Sequence, residues 1–458
     1  MTPVPVRLAV ATGARRIEAA AVTPDGTVVA TAELDPTGSP AADVEAALAR
    51  LLAVREVDPG ATLAVVAAGR WAAAALRPPY DLVPVASIRL ATPARSAFPP
   101  LHGWPPALRT AVSAGEAIVT GGCGVDGSAA APLDEAGLRA ALTRADPAAV
   151  AITATFAGVS AADEHAAERT VEATLPGTPV VLSHEFGALG LLERENSAVL
   201  DAALTGVGRR LVDAIATALE RLRIDAPAYL VRNDGTLIAA AEAARFPLLT
   251  YAGGDAAWLR GAAALAGVGD ALVCRAEPDG IAVGAVHNAR SRESSGRRLI
   301  AGVPTSVELP DVAAVRHGPG ASRHRAEPAR TLARLGGREA PRPLVVVGGA
   351  ARMLVGELPA ESEAQCPRLA EFAAAVGAAL APVSATVEVV LPRYLPAERR
   401  YAELAARATD LALYNGADPG GIAVVEFAEV PLPYLPESPV RCRARAEGPP
   451  QGRLRVVS

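Results

Sequence analysis

Two residues with acid–base chemistry, His184 and Glu185, stand at the end of the apolar run Val180 to Ser183, and a charged run, Glu193-Arg194-Glu195-Asn196, follows them. An imidazole beside carboxylates can exchange protons near neutral pH, and arginine grips carboxylate or phosphate through a planar fork. The two groups read as a polar site or as a capped, salt-bridged hinge. A second group, Asp163-Glu164-His165, has metal-ligand residue types. It falls in the first turn of an expected helix, Ser160 to Leu175, where acids favour the helix dipole and Ser160 with Asp163 has capping-box spacing. His317 and His324 form a weak metal pair on a loop. No metal site is expected. Two glycine groups could present backbone N–H donors: Gly253-Gly254 before a small-residue helix, and Gly121-Gly122-Cys123-Gly124, which reads as a turn because no helix follows directly.

Several chemistries are excluded outright. The chain has no lysine, which removes a Walker-type phosphate lysine, a Schiff base and a lysine general base. No GxSxG elbow, HExxH or EF-hand loop is present. A formal net charge of −5 without a basic block leaves no electrostatic footprint for nucleic acid. The cysteines, Cys123, Cys274, Cys366 and Cys442, form no CxxC pair and read as reduced and structural.

The 458 residues are 51% apolar, mostly alanine and valine, which is enough to bury cores in two or more domains. No apolar run is long enough for a membrane span, the start reads as a strand and not a signal peptide, and cytoplasm is the expected compartment.

The elements that must hold these residues are clearest from Tyr229 to Val286. A strand near Tyr229 to Val231 ends in the turn Asn233-Asp234-Gly235, a helix covers Ala239 to Arg245, and Pro247 to Tyr251 extends again. A helix from Asp255 to Ala266 leads into strand Ala271 to Cys274, which hairpins through Ala276-Glu277-Pro278-Asp279-Gly280 into Ile281 to Val286. The N-terminus is expected as three antiparallel strands, an amphipathic helix Asp43 to Leu52 and a buried strand Leu63 to Ala67. From Ser197 a near-3.6 apolar period marks one long helix, at whose start a domain boundary is expected.

Strand, glycine turn, helix, strand, tight turn, strand is the order of an actin-type nucleotide-binding half. On RNDGTL, SHEFGALGLLERENSAVLDAAL, PPLHGWPPALR, LPDVAAV, VVVGGAARML and ADPGGIAVVEFAEVPLPYLP, the chain resembles the hydantoinase/oxoprolinase family over nearly its whole length. The resemblance implies an α/β fold of two actin-like ATPase (RNase H-like) halves around a central cleft, plus a C-terminal α/β extension. The expected divisions are 1–190, 191–390 and 391–458. It implies the subunit for ATP-dependent hydrolysis of a cyclic amide, a hydantoin or 5-oxoproline, with ATP and Mg as cofactors and a second, larger subunit as partner. A small-molecule ligand in the cleft and a homo-oligomer are further expectations.

By the same resemblance His184, Glu185, Arg194 and Glu195 sit at the cleft between halves and are the catalytic candidates. Gly13, Glu18, Gly253, Gly254, Gly318, Gly348 and Gly349 are the cofactor-binding candidates. Yet where the family has DxGGTxTD in its first hairpin, this chain has Ala11-Thr12-Gly13-Ala14-Arg15-Arg16-Ile17-Glu18, keeping only the glycine and a longer carboxylate. Where the second half should read DIGGTTTD, it has Arg275-Ala276-Glu277-Pro278-Asp279-Gly280-Ile281-Ala282. Pro278 removes a donor N–H. A bare Glu277 carboxylate ~4 Å from phosphate would cost about 4 kcal/mol at an effective dielectric of ~20. Arg15, Arg16 or Arg275 could offset it. Weakened or lost ATP hydrolysis is therefore expected, with a non-catalytic partner-binding or regulatory subunit as the alternative.

Overall fold

The computed structural model describes residues 4–92, 98–187, 189–278, 280–294, 298–316, 343–358, 362–433, 435 and 437–452. Gly318 and nearly all of the Arg-rich 322–343 connector lie outside that set.

The chain opens with an antiparallel meander, β1 (Val6–Thr12), β2 (Ile17–Val22) and β3 (Val28–Leu34). Helix α1 (Pro40–Leu52) starts on the Ser39 side-chain cap with proline in its first turn, and buries Val44, Leu48 and Leu51 on one face. It returns the chain so that β4 (Thr62–Ala68) lies parallel to β1. After the short α2 (Trp71–Ala75) comes a separate parallel sheet of β5 (Val85–Leu90), β6 (Ser113–Val119), β7 (Ala149–Ala154) and β8 (Val180–Leu182). Its helices are α3 (Pro106–Val112), α4 (Glu135–Ala145) and α5 (Ala162–Thr174). Every residue of β5 and β7 is buried, as expected for parallel strands covered on both faces.

The long helix α6 (Leu191–Arg221) leads to β9 (Ala228–Val231), β10 (Leu237–Ala239), α7 (Ala240–Arg245) and α8 (Gly253–Ala266). A second meander follows: β11 (Ala271–Glu277), β12 (Gly280–His287), the short β13 (Arg290–Ser291), β14 (Leu299–Ile300) and β15 (Val303–Pro304), then β16 (Val312–Arg316). Strand β17 (Leu344–Val347) lies parallel to β11. The chain ends with α9 (Ala351–Glu357), α10 (Ala373–Ala379), β18 (Val383–Leu391), α11 (Ala397–Tyr414), β19 (Ala423–Pro431) and β20 (Val440–Gly448).

The same unit occurs twice. In the order β4-β1-β2-β3 and again in β17-β11-β12-β16, three antiparallel strands carry a fourth parallel to the first. Helices α8 and α10 cross between the two units with almost no space. A Cβ on Gly261 would lie 1.7 Å from the Ala373 carbonyl oxygen, and one on Gly377 would lie 2.0 Å from that of Ala257. Glycine at both positions is what lets the backbones touch. The first unit's sheet extends to nine strands, β19-β20-β18-β10-β9-β4-β1-β2-β3, and so draws strands from all three sequence divisions.

Local expectations fail in four places. Pro247–Thr250 is a 3-10 turn and not extended chain, with the Thr250 hydroxyl donating to the Pro247 carbonyl. The long helix starts at Leu191, six residues before Ser197. Helix α5 has no side-chain cap, because the Asp163 carboxylate is taken by the Gly122 N–H at 2.6 Å. Strands β10 and β18 had no counterpart in the sequence reading. All four cysteines are unpaired, and burial pushes the Cys274 thiol up to about 12. No helix among the described residues is long and apolar enough to cross a membrane.

Candidate functional site

Most of the candidate residues lie at or beside two cavities that share no lining residue. The first lies between the β1–β2 and β11–β12 hairpins, where the repeated units face each other. Gly13 closes the first hairpin, its N–H donating to the Arg16 carbonyl at 2.9 Å, so that donor is spent within the turn. The second hairpin is tighter. Strands β11 and β12 pair to the Glu277–Gly280 register, leaving only Pro278 and Asp279 at the tip, and Asp279 lies outside the described residues. One donor is thus spent in the first tip, and Pro278 has none to give in the second.

Ion pairs bridge the gap. Glu18 is 2% exposed and accepts from Arg16 Nη2 at 3.2 Å, from Arg275 Nη2 at 3.3 Å and from the Ala374 N–H at 3.1 Å. Arg275 Nε donates to Glu277 at 3.1 Å, and Arg16 Nη2 lies 3.8 Å from the same carboxylate. Arg16 also donates to the Glu371 carbonyl at 2.6 Å. Burial lifts the Glu18 carboxyl above its ordinary value, although Arg275 and Arg16 pull it down. The expectation of a bare Glu277 charge is thus corrected: its charge is met, and Arg16 and Arg275 are engaged by carboxylates.

The glycine pair Gly253-Gly254 is explained by packing. A Cβ on Gly253 would sit 2.1 Å from the Val231 carbonyl oxygen, so the start of α8 can approach β9 only as glycine. Gly254 lines the cavity, but the α8 N-terminus already has its own anion: Asp255 accepts from Trp258 Nε1 at 3.3 Å and lies 3.7 Å from Arg70. The space left is about 150 Å³. Gly348 and Gly349 line a neighbouring cavity of about 460 Å³, with Arg16 and Glu277 on the wall between the two. Gly348 has φ +96, and a Cβ there would lie 2.5 Å from the Ala276 carbonyl oxygen.

The phosphate end here is about 150 Å³, and Arg16, Arg70 and Arg275 on it are paired with carboxylates. Among the described residues no cluster of three or more His, Cys, Asp or Glu is placed to hold a metal ion.

The second cavity is about 1130 Å³. His184 and Glu185 face it, whereas Arg194 and Glu195 are buried behind its wall. Glu195 takes both Nε and Nη2 of Arg89, at 2.7 and 2.6 Å, and both side chains are 2% exposed. Beside it Asn196 accepts from the Trp104 indole at 2.7 Å. Arg194 donates to the Ser183 hydroxyl at 2.6 Å and to the Ala154 carbonyl at 3.2 Å, and burial lowers its pKa. Neither Arg194 nor Glu195 lines the cavity.

Glu164 was read as a helix-start acid, and the structure gives it another place. It is 0% exposed, accepting from the Ala154 N–H at 2.8 Å, the Ser183 hydroxyl at 2.6 Å, the His184 N–H at 3.0 Å and His184 Nδ1 at 2.6 Å. Burial would raise its pKa, but the bonds from His184, Ser183 and Ala154 outweigh it and hold the carboxyl below its ordinary value. An ionised Glu164 can only accept, so Nδ1 of His184 carries a proton. Glu185 opens onto the cavity yet is hemmed in by protein, and that desolvation raises its pKa. The sequence signal for Glu164 was its helical phase with the buried Ala167 and Val171.

Two solved structures share the fold over nearly the full chain. One is an acetone carboxylase in nucleotide-free form, from work on ATP-dependent acetone carboxylation. It is 13% identical, with a TM-score of 0.71 covering 97% of this chain and 88% of that one. The other is an ATP-dependent caprolactamase from Pseudomonas jessenii. It is 15% identical, with a TM-score of 0.72 covering 96% and 87%. No family model matches the sequence, and no curated protein matches it. At these identities the likeness is one of fold: α/β, with two actin-like halves around a central cleft.

Proposed function

We propose that this chain is a hydantoinase/oxoprolinase-type subunit that has given up Mg-ATP hydrolysis and keeps the two-lobed scaffold for binding a small molecule and a partner. The observation that carries the reading is the Arg16–Glu18–Arg275–Glu277 network. It joins the two hairpins where a triphosphate would have to lie, and it engages Arg16 and Arg275, two of the three cations that could have replaced the family's glycine and threonine donors. The fold shared with two ATP-dependent enzymes supports descent from such a scaffold. Exposed apolar side chains in the last division, Tyr394, Tyr401, Leu411, Tyr414, Val425 and Val430, support a partner surface there.

Calorimetric titration of the full chain with Mg-ATP, followed by phosphate-release assays with hydantoin and 5-oxoproline, tests this. The expected result is binding weaker than about 1 mM and no turnover above background. Tight Mg-ATP binding with turnover on either cyclic amide would overturn it.

A further inference from the structure

The large cavity that His184 and Glu185 face has one wall outside the large sheets. Between β13 and β16 the chain makes an excursion, and its returning limb, 303–311, brings Ser306, Val307 and Glu308 onto the cavity. The limb is held in two ways. At its start Val303 is fully buried in the core around Trp104, and Asn196 Nδ2 donates to the Pro304 carbonyl at 2.9 Å. Further on, the Ser294 N–H donates to the Leu309 carbonyl at 2.9 Å and the Asp311 N–H to the Arg292 carbonyl at 2.8 Å, which sets Glu308 close to Glu293 on the outgoing limb.

Both acids meet β20. Arg443 and Arg445 stand two apart on that strand, and so on one face. Arg445 Nη2 lies 3.1 Å from Glu308 and 3.2 Å from Glu293. Arg443 Nη2 is in contact with Glu308 and lies 3.6 Å from Glu293. The Nε atoms of the two arginines lie 3.5 and 3.6 Å from Glu426 of β19. Three carboxylates thus share two guanidiniums. Arg298, the next cation, is 4.0 Å from Glu293 and donates Nη1 to the Ser306 carbonyl. Asp234 adds a negative charge facing Arg232 and Arg445, Glu388 of β18 stands opposite Arg443 in register, and Glu447 is paired with Arg290 at 2.8 Å. Burial pushes the Glu308 carboxyl up to about 7; Arg443 and Arg445 oppose the shift, and Glu293 and Asp234 add to it.

We propose that the 303–311 limb is a proton-operated strap on this cavity, lying tightest against β20 when Glu308 is neutral and slackening, so that the cavity widens at that wall, when Glu308 ionises. The direction is set by the proton. A slack limb returns Glu308 to water and to an ordinary value of about 4.3. Between there and about 7 the closed limb keeps a proton that the slack limb releases. Closure is therefore most favoured below that window, weakens by at most about tenfold per unit as pH rises through it, and changes no further above it.

Amide hydrogen exchange of the full chain, corrected for intrinsic rates, is followed at about pH 5.5 and 7.5, together with the carboxylic acid stretch in the infrared. The N–H groups of Ser294, Ser306 and Asp311, whose bonds tie the limb, should lose about tenfold more protection across this range than those of β7. Glu308→Gln is neutral at every pH. It should keep the limb at its low-pH protection throughout, and the acid band it removes should titrate in the unaltered protein with a midpoint near 7. Glu293→Gln relieves the crowding, so midpoint and loosening should both move to lower pH. Limb protection that ignores pH, a pH response that survives in Glu308→Gln, or a loosening of β7 as large as the limb's would each overturn the proposal. If Glu308→Gln does not fold, Glu293→Gln decides it, and a midpoint left where it was counts against the strap.

Discussion

In the hairpin cleft, four charged side chains satisfy one another across a gap, and about 150 Å³ is left. In the His184 cavity the Arg89–Glu195 pair and the buried Glu164 that holds His184 stand behind the wall, pairs such as Arg443 with Glu308 lie along it, and about 1130 Å³ lies open in front. Both regions use arginine, glutamate and glycine. The difference is direction. Charges paired across a space draw its sides together, whereas charges paired behind a surface hold one exposed group at a fixed angle. A site can therefore be lost without losing its charged residues, and gained without adding many.

The largest expected effect lies behind the cavity wall. Glu195→Ala strands the Arg89 guanidinium in a dry interior and should cost about 3–5 kcal/mol in denaturant unfolding. A cost under about 1 kcal/mol would mean that the wall does not rest on this pair, and the contrast with the cleft would fail.

Next comes the crossing of α8 and α10. Gly261→Ala places a Cβ 1.7 Å from the Ala373 carbonyl oxygen, so the backbones must part, at a cost of about 1–3 kcal/mol or more. Because α10 also supplies the Ala374 N–H to Glu18, the cleft network should loosen with it. The imidazole nitrogen shifts of His184 should not change. If it does, the two regions are not independently built.

How much of this could be read from the chain depends on the range of the interaction. The first meander and the β11–β12 hairpin were legible because each strand is a short apolar run bounded by turn residues such as Pro24-Asp25-Gly26, whereas β16 was not read. The Asn233-Asp234-Gly235 turn was legible too, and Asn233 there ties Leu248 and Ala252 by hydrogen bonds of 3.1 and 2.7 Å. Gly13 and Glu18 were placed correctly at the first hairpin, but what Glu18 does depends on Arg275, far along the chain, and no local pattern reports that. Strand β10 has three residues and pairs β18 through a single register, too little for an alternation signal. Pro247–Thr250 was misread because a proline-led apolar run looks extended until tertiary contacts fold it into a turn.

A smaller effect appears with pH. Asp201 on α6 is 0% exposed, with one oxygen accepting from the Leu248 N–H at 2.8 Å and the other without a hydrogen bond. Burial raises its pKa well above the usual range. The folded state then holds a proton that the unfolded chain releases near pH 4, so folding stability falls as pH rises above that value. The slope is at most about 1.4 kcal/mol per unit. Asp201→Asn keeps the acceptor for Leu248 and removes the proton requirement. Its unfolding free energy should match or exceed that of the unaltered protein at pH 8 and should fall less steeply between pH 5 and 8, the remaining slope coming from buried carboxyls such as Glu18 and Glu185. A parallel pH slope in the two proteins would show that Asp201 is not the group involved.

The smallest stability effect belongs to the pair that carries the functional reading. Arg275 and Glu277 are 20% and 24% exposed, so a double-mutant cycle should find a coupling of only about 0.5–1 kcal/mol, weakened by salt. A weak pair can still hinder an anion if it holds its cation's fork, and Arg275 gives Nε to Glu277 at 3.1 Å and Nη2 to Glu18 at 3.3 Å. Glu277→Gln alone should therefore leave pyrophosphate binding as poor as before. Glu18→Gln with Glu277→Gln frees both Arg16 and Arg275 toward the gap and should raise pyrophosphate affinity by about tenfold or more, as charge-assisted contacts to phosphate predict. If the double variant folds and still ignores pyrophosphate, the narrow hairpins and not the ion pairs keep anions out, and direction of pairing loses its claim to explain the cleft.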